Sequence, residues 1–257
     1  MQENSVLGLV CVFCWVLYGV LYLMFMSGYA EKKAVIITGA SRRIGRAMAI
    51  FLASKLKYDI LAVYNTAREA ALSLQEIVES NGQKCVLFQA DLRNHSLYEQ
   101  IVSYAFTEMP YCNTLINNAS LFYKDNLKDC TVENFSENFD IHVRAPIFLT
   151  QHFAAMCSGQ GKVVNIVEAD VERIKTKYFS YLLSKKSLFC FTKMAAEELY
   201  PSICVNAICP TIIPNCEIDC VNPTSDLCGK PTLSNFLTIL ESLLDFDNPR
   251  SGESLTA

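Results

Sequence analysis

The chain has 257 residues, 51% of them hydrophobic and 19% charged, with a net charge of −4. That length suffices for one large domain with a substantial core, or for two small ones, and the composition excludes a disordered chain. Mild acidity, with no basic block or basic-aromatic stripe, argues against nucleic acid as a partner.

Residues 1–30 form a hydrophobic segment distinct from the domain at 31–257. No charged residue occurs from Ser5 to Ala30, which is long enough for a transmembrane helix. Glu3 precedes it and Lys32 and Lys33 follow. The positive-inside bias then tethers the domain on the cytoplasmic side of a membrane. Two other readings stand beside that anchor. Translation could begin later, at Met24 or Met26. A signal peptide would find a cleavage-like site at Gly28-Tyr29-Ala30, but it lacks a basic n-region.

After Glu31, short apolar runs alternate with helical periodicity. Strands are expected at 34–38, 60–64, 85–90, 114–117, 163–167 and 203–208. Helices are expected at 43–55, 68–79, 96–107, about 134–156, and 179–199. Strands alternating with helices of this length imply right-handed βαβ units and a parallel sheet in a single α/β domain. Continuous apolar strands fit a sheet covered on both faces.

The chain contains 12 cysteines. Cys85, Cys190, Cys204 and Cys209 sit within expected strands and helices, as reduced thiols used as small hydrophobes do. Cys216, Cys220 and Cys228 are denser but lack CxxC pairs, and no metal is expected.

The first strand runs into Thr38-Gly39-Ala40-Ser41-Arg42-Arg43-Ile44-Gly45, which opens the first helix. A glycine-bearing turn at that junction lets backbone approach a pyrophosphate held by the helix start. The second strand ends in Tyr64-Asn65-Thr66, without the acid that would bind ribose hydroxyls. Arg42 and Arg43 suit a 2′-phosphate, so NADP(H) is the expected cofactor.

Tyr181 and Lys185 stand at i and i+4 on one helix face. A carbonyl or imine that accepts hydride must also receive a proton. A nearby ammonium favours the phenolate and lowers the tyrosine pKa toward a useful value. Such a pair is common by chance. Its place, on the helix after the fifth strand, makes it informative.

These motifs, in this order, resemble the short-chain dehydrogenase/reductase family from about residue 33 to 211. The resemblance implies a single Rossmann-type doubly wound sheet. It assigns the cofactor to Gly39, Ser41, Arg42, Arg43, Ile44, Gly45, Asn65, Thr66, Asp91, Leu92, Asn118, Ala119, Ser120, Lys185 and Pro210. Asn117-Asn118-Ala119-Ser120 looks like the family's N-N-A-G, and Val205-Asn206 through Pro210 like its V-N-x-x-x-P-G. Arg43 replaces a family glycine, which the turn tolerates if residue 43 is already helical. Family members commonly form dimers or tetramers through helices near 134–157 and 179–199, so a homo-oligomer is expected.

The departures sharpen the resemblance. Glu168 stands where the family has a catalytic Ser, and His142 where it has a relay Asn. A carboxylate cannot donate to a ketone oxygen as a Ser can. Pteridine reductases, including the dihydromonapterin reductases, have an acid there, an arginine-bearing phosphate loop, and N-N-A-S followed by an aromatic. That likeness implies a pterin-like substrate met by Ser120, Phe122, Glu168 and Tyr181, with Tyr181, Lys185 and Glu168 catalytic. Phe122 reads as a stacking platform or a core Phe, and His142 as a relay or a satisfied buried His. Two alternatives remain. One is a 3-oxoacyl-carrier-protein or other carbonyl reductase. The other is a catalytically impaired NADP-binding protein, with a reduced last strand.

Overall fold

Seven strands form at the apolar runs: β1 (Lys33–Thr38), β2 (Tyr58–Tyr64), β3 (Cys85–Gln89), β4 (Cys112–Asn117), β5 (Gly161–Ile166), β6 (Ile203–Cys209) and β7 (Ser254–Thr256). In the computed structural model, which describes residues 32–169, 171–174, 177–211 and 231–257, they make one sheet in the order β3-β2-β1-β4-β5-β6-β7. Every pairing is parallel. Central β2, β5 and β6 are buried along their whole length, whereas the edge strands β3 and β7 are partly open.

The helices are α1 (Arg43–Ser54), α2 (Arg68–Ser80), α3 (Tyr98–Glu108), α4 (Val132–Phe139), α5 (Ala145–Met156), α6 (Phe179–Leu199) and α7 (Pro231–Leu243). Alternate residues of β1 divide the core. Val35 and Ile37 pack with Ile50, Leu74, Phe236 and Leu240 from α1, α2 and α7. Ala34 and Ile36 pack with Ile101, Leu149 and Ala195 from α3, α5 and α6. The result is the expected doubly wound α/β sheet, and residues 33–257 form one compact unit.

The stretch expected near 134–156 is helical throughout, with α4 and α5 joined by a wide π-type turn at Asp140–Arg144. Helix α7 has no counterpart in the sequence expectation. Strand β7 is short, in keeping with a reduced last strand, and pairs Ser254–Thr256 with Ala207–Cys209. The apolar stretch at 5–30 and Cys216, Cys220 and Cys228 lie outside the described residues. Among the described residues, no helix is long and apolar enough to cross a membrane, and no acid/His/Cys group could hold a metal.

Between β1 and β4 the strand order reverses. Ligands of open α/β sheets bind at the carboxyl ends of the strands at such a point. Thr38, Asn117 and Ile166 end their strands there.

Candidate active site

The turn after β1 is built for backbone approach. Gly39 has a φ of 66°, the left-handed region that a Cβ disfavours. Gly45 packs against the same turn: a Cβ there would lie 2.1 Å from the Gly39 carbonyl oxygen and 2.7 Å from Asn118 Nδ2. Thr38 Oγ1 accepts from the Asn118 N–H (2.9 Å) and the Ala119 N–H (3.0 Å). Asn118 Nδ2 donates back to the Thr38 carbonyl (2.9 Å) and the Gly39 carbonyl (3.2 Å). The Asn118–Ala119 segment is thereby clamped onto the turn. Helix α1 has no acid in its first turn and no side-chain cap. Its first N–H groups have no intrahelical acceptors, so the helix start suits an anion. The dinucleotide phosphates fit this cradle.

Arg43 overturns one expectation. It is the first residue of α1, but its backbone is left-handed, with a φ of 51°. The family glycine at this position meets the same requirement without a Cβ, whereas an L-residue there costs about 1 kcal/mol or more. Arg43→Gly is therefore expected to raise stability and, if the guanidinium takes the 2′-phosphate as the sequence implies, to weaken NADPH binding about tenfold. Thermal melts and NADPH titrations of the same variant check the two signs. Weaker stability with unchanged affinity would contradict both. Ser41 is buried, Ile44 half-buried and Arg42 exposed beside it.

At the end of β2, Asn65 and Thr66 are exposed, and no acid stands there. Gln89 Nε2 pins this corner through the Asn65 carbonyl (2.9 Å). Asp91 is held by Arg93, whose Nε lies 3.0 Å from both carboxylate oxygens. The guanidinium hydrogen bonds keep the Asp91 carboxyl below its ordinary range, against the opposing effect of burial. Arg93 also pairs with Glu137, and Tyr123 donates to the other Glu137 oxygen (2.5 Å). Leu92 lies in the core with its carbonyl taken by the Tyr98 hydroxyl (2.7 Å). Pro210 is buried and accepts from the Ala169 N–H (3.2 Å).

The catalytic candidates converge at the start of α6. The Tyr181 hydroxyl donates to Glu168 Oε2 at 2.9 Å. Lys185 is buried, and its Nζ donates to the Ile166 carbonyl (2.8 Å). That ammonium lies 5.8 Å from the Tyr181 ring centroid. Burial pushes Lys185 down to about 8, and the Glu168 carboxylate pulls the other way. Tyr181 corrects the sequence expectation. Its phenol is pushed up, not down, by burial first and then by the adjacent Glu168 charge and hydrogen bond, with Arg43 opposing. A phenol donating to a carboxylate is stabilised in its protonated form. In this arrangement the group is a held proton donor.

Phe122 is 60% exposed, which excludes a core role. Its ring centroid lies 4.8 Å from that of Tyr181, edge to face, and 4.6 Å from that of Tyr178. His142 comes from the wide turn between α4 and α5 and is fully buried. Its Nε2 accepts from the Leu121 N–H (3.1 Å) and lies 3.0 Å from the exposed Ser120 Oγ. Its Nδ1 meets Ser184 Oγ at 2.8 Å. Burial, helped by the Lys185 charge, holds the imidazole well below its ordinary pKa, so it is neutral. The satisfied buried histidine is the reading this geometry favours.

Sequence reasoning missed four supporting residues. Thr38 clamps the Asn118 loop. Ser184 joins His142 to α6, one position before Lys185. Asp125, buried, accepts from the Ser180 N–H (3.2 Å) and Ser180 Oγ at the start of α6. Arg93 closes on Asp91. The available signals were a hydroxyl at a strand end and polar residues at helix starts.

The short chain dehydrogenase family model matches residues 33–218. Dihydromonapterin reductase of Klebsiella pneumoniae subsp. pneumoniae is 30% identical over 189 residues, 71% of this chain and 75% of that protein. Short-chain dehydrogenase/reductase FrzI of a Cladobotryum species is 30% identical over 191 residues, 74% of this chain and 69% of that one. Among solved structures, FolM Alternative dihydrofolate reductase 1 from Brucella canis, complexed with NADP, superposes with a TM-score of 0.76 at 26% identity. That match covers 88% of this chain and 92% of the other.

Proposed function

The chain belongs to the short chain dehydrogenases, and from that premise we propose that it reduces a C=N bond of a dihydropteridine or dihydrofolate-like ring. It is an NADP-dependent oxidoreductase. When bound, NADPH supplies the hydride. The turn at Gly39, Ser41, Ile44 and Gly45 holds the pyrophosphate on the start of α1. Arg42 and Arg43, with Asn65 and Thr66, take the 2′-phosphate end. Asp91 and Leu92 border the adenine, and Asn118, Ala119, Ser120 and Pro210 border the nicotinamide. Lys185 binds the ribose and keeps a positive charge beneath Tyr181. Tyr181 delivers the proton, and Glu168 anchors the ring or relays a proton from solvent to the phenolate.

One observation carries this reading: the Tyr181 hydroxyl is hydrogen-bonded to a carboxylate, Glu168, beside the exposed Phe122 ring. A ketone oxygen needs a second donor at that place, and an ionised carboxylate offers only acceptors. A flat ring carrying N–H groups satisfies both the carboxylate and the Phe122 face. Two named relatives, the dihydromonapterin reductase and the alternative dihydrofolate reductase, support the same substrate class. NADPH is available in the cytoplasm, the compartment this reading requires. Phe148 and Met156 on α5, and Leu183 and Met194 on α6, are exposed large apolar side chains. They support a homo-oligomer, dimer or tetramer, formed through those helices.

The test is NADPH oxidation with dihydrobiopterin, dihydromonapterin, dihydrofolate and an acetoacetyl thioester offered in parallel. Turnover of a pterin but not of the thioester is the expected result. Thioester turnover alone would return the protein to the carbonyl reductases, and NADPH binding without turnover would make it a binding protein. The pH profile is a further expectation. Values of kcat/KM for NADPH report the free enzyme's groups. They should fall as pH rises through about 8, where Lys185 loses its charge. A profile flat from pH 7 to 9 would remove Lys185 from that role.

A further inference from the structure

The substrate end of this site carries a hydrogen-bond polarity that can be read donor by donor. The Leu121 N–H can only donate, and its acceptor is His142 Nε2 at 3.1 Å. That nitrogen therefore carries no hydrogen. The ring is buried and neutral, so its single hydrogen sits on Nδ1 and is donated to Ser184 Oγ at 2.8 Å. The Ser184 hydroxyl hydrogen is itself donated to the Tyr181 carbonyl at 2.7 Å. Ser120 Oγ then lies 3.0 Å from a nitrogen that has only a lone pair. That contact is attractive only if Ser120 gives it the hydroxyl hydrogen. The other nearby acceptor, the Leu121 carbonyl at 3.4 Å, is longer and would take the same hydrogen. Ser120 is left with lone pairs alone on its exposed side.

We propose that His142 is a positioning residue that fixes Ser120 as a hydrogen-bond acceptor, so that the site selects rings presenting N–H donors over rings presenting carbonyl oxygens. The inference rests on the pteridine reading and narrows it. Ser120 and Glu168 both accept, while the Tyr181 hydroxyl is kept for the reacting atom. His142 is buried, whereas Ser120 is exposed. His142 acts through Ser120 and, through Ser184, ties the loop before Phe122 to the Tyr181 turn of α6.

Two measurements test it. In the full chain labelled with 15N-histidine, His142 is expected as the neutral Nδ1–H tautomer at neutral pH. Its signal is assigned by its loss in His142→Gln. An Nε2–H tautomer or a charged ring would overturn the proposal. The second measurement is the preference, in kcat/KM, for a 2-amino-4-oxo dihydropteridine over its 2,4-dioxo counterpart. In His142→Ala only the longer Leu121 carbonyl contact still competes for the Ser120 hydrogen, the hydroxyl can turn to donate to the oxo group, and the preference should shrink about tenfold, or ~1.4 kcal/mol. In His142→Gln, whose amide oxygen accepts the same hydrogen, it should be largely retained. Ser120→Ala should shrink the preference similarly, which covers the case in which His142→Ala does not fold. A general loss of rate with the preference unchanged would mean a purely structural His142 and overturn the proposal. Turnover of neither ring by the unaltered protein would sink the pteridine reading, while the tautomer still decides the role of His142.

Discussion

Tyr181→Phe is expected to lower kcat by about three orders of magnitude, the middle of the range for removal of a general acid. NADPH affinity should not change, because the substitution leaves the cofactor cradle untouched. Lys185 keeps its bond to the Ile166 carbonyl. The ring keeps its edge-on packing with Phe122 and with His142, at centroid distances of 4.8 and 5.4 Å. Only the hydroxyl that donates to Glu168 is lost. Steady-state kinetics with the best pterin, together with NADPH fluorescence titration, separate chemistry from binding. Full activity in this variant would move the proton source to Glu168 or solvent and end the assignment.

Gly45→Ala should be nearly as severe, for a different reason. The new Cβ would stand 2.1 Å from the Gly39 carbonyl oxygen and 2.9 Å from its carbon. Both are backbone atoms of the phosphate turn, so no side-chain rotation relieves the clash. Overpacking of this kind costs about 3 kcal/mol or more. For a domain of this size that is a melting-point fall of roughly 6–12 °C. Opening the turn would also displace Asn118, whose amide holds the Gly39 carbonyl, and NADPH binding should be lost with it. Thermal unfolding with and without NADPH reads both effects. A variant that melts normally and is still stabilised by NADPH would contradict the close approach.

Much of this could be read from residue order. The apolar runs became β1 to β6 within a few residues, because strands buried on both faces are predominantly apolar. Tyr181, Lys185, Glu168 and Phe122 did come together, as their places after β4 and β5 required. What escaped was geometry that residue type does not encode. Arg43 gives no sign of a left-handed backbone, since only its conformation carries the strain. The direction of the Tyr181 shift depends on where the Glu168 carboxylate points, not on the Tyr–Lys spacing. Helix α7 follows a stretch without clear periodicity, and β7 is only three residues long, too short for an alternation signal. The Ser184 and Thr38 hydroxyls matter through partners 42 and 80 positions away, a distance no local pattern spans.

The wide turn at Asp140–Arg144 takes up one residue more than an α-helical turn, and the helix runs on beyond it. Ala145, Leu149 and Phe153 of α5 face the core at four-residue steps, all fully buried. Deleting one residue from 140 to 144 would let the helix close to ordinary α winding with that stripe still toward the core. The imidazole of His142 would then lose its place beside Ser120. The extra residue in this turn serves the placement of His142 rather than the packing of α5.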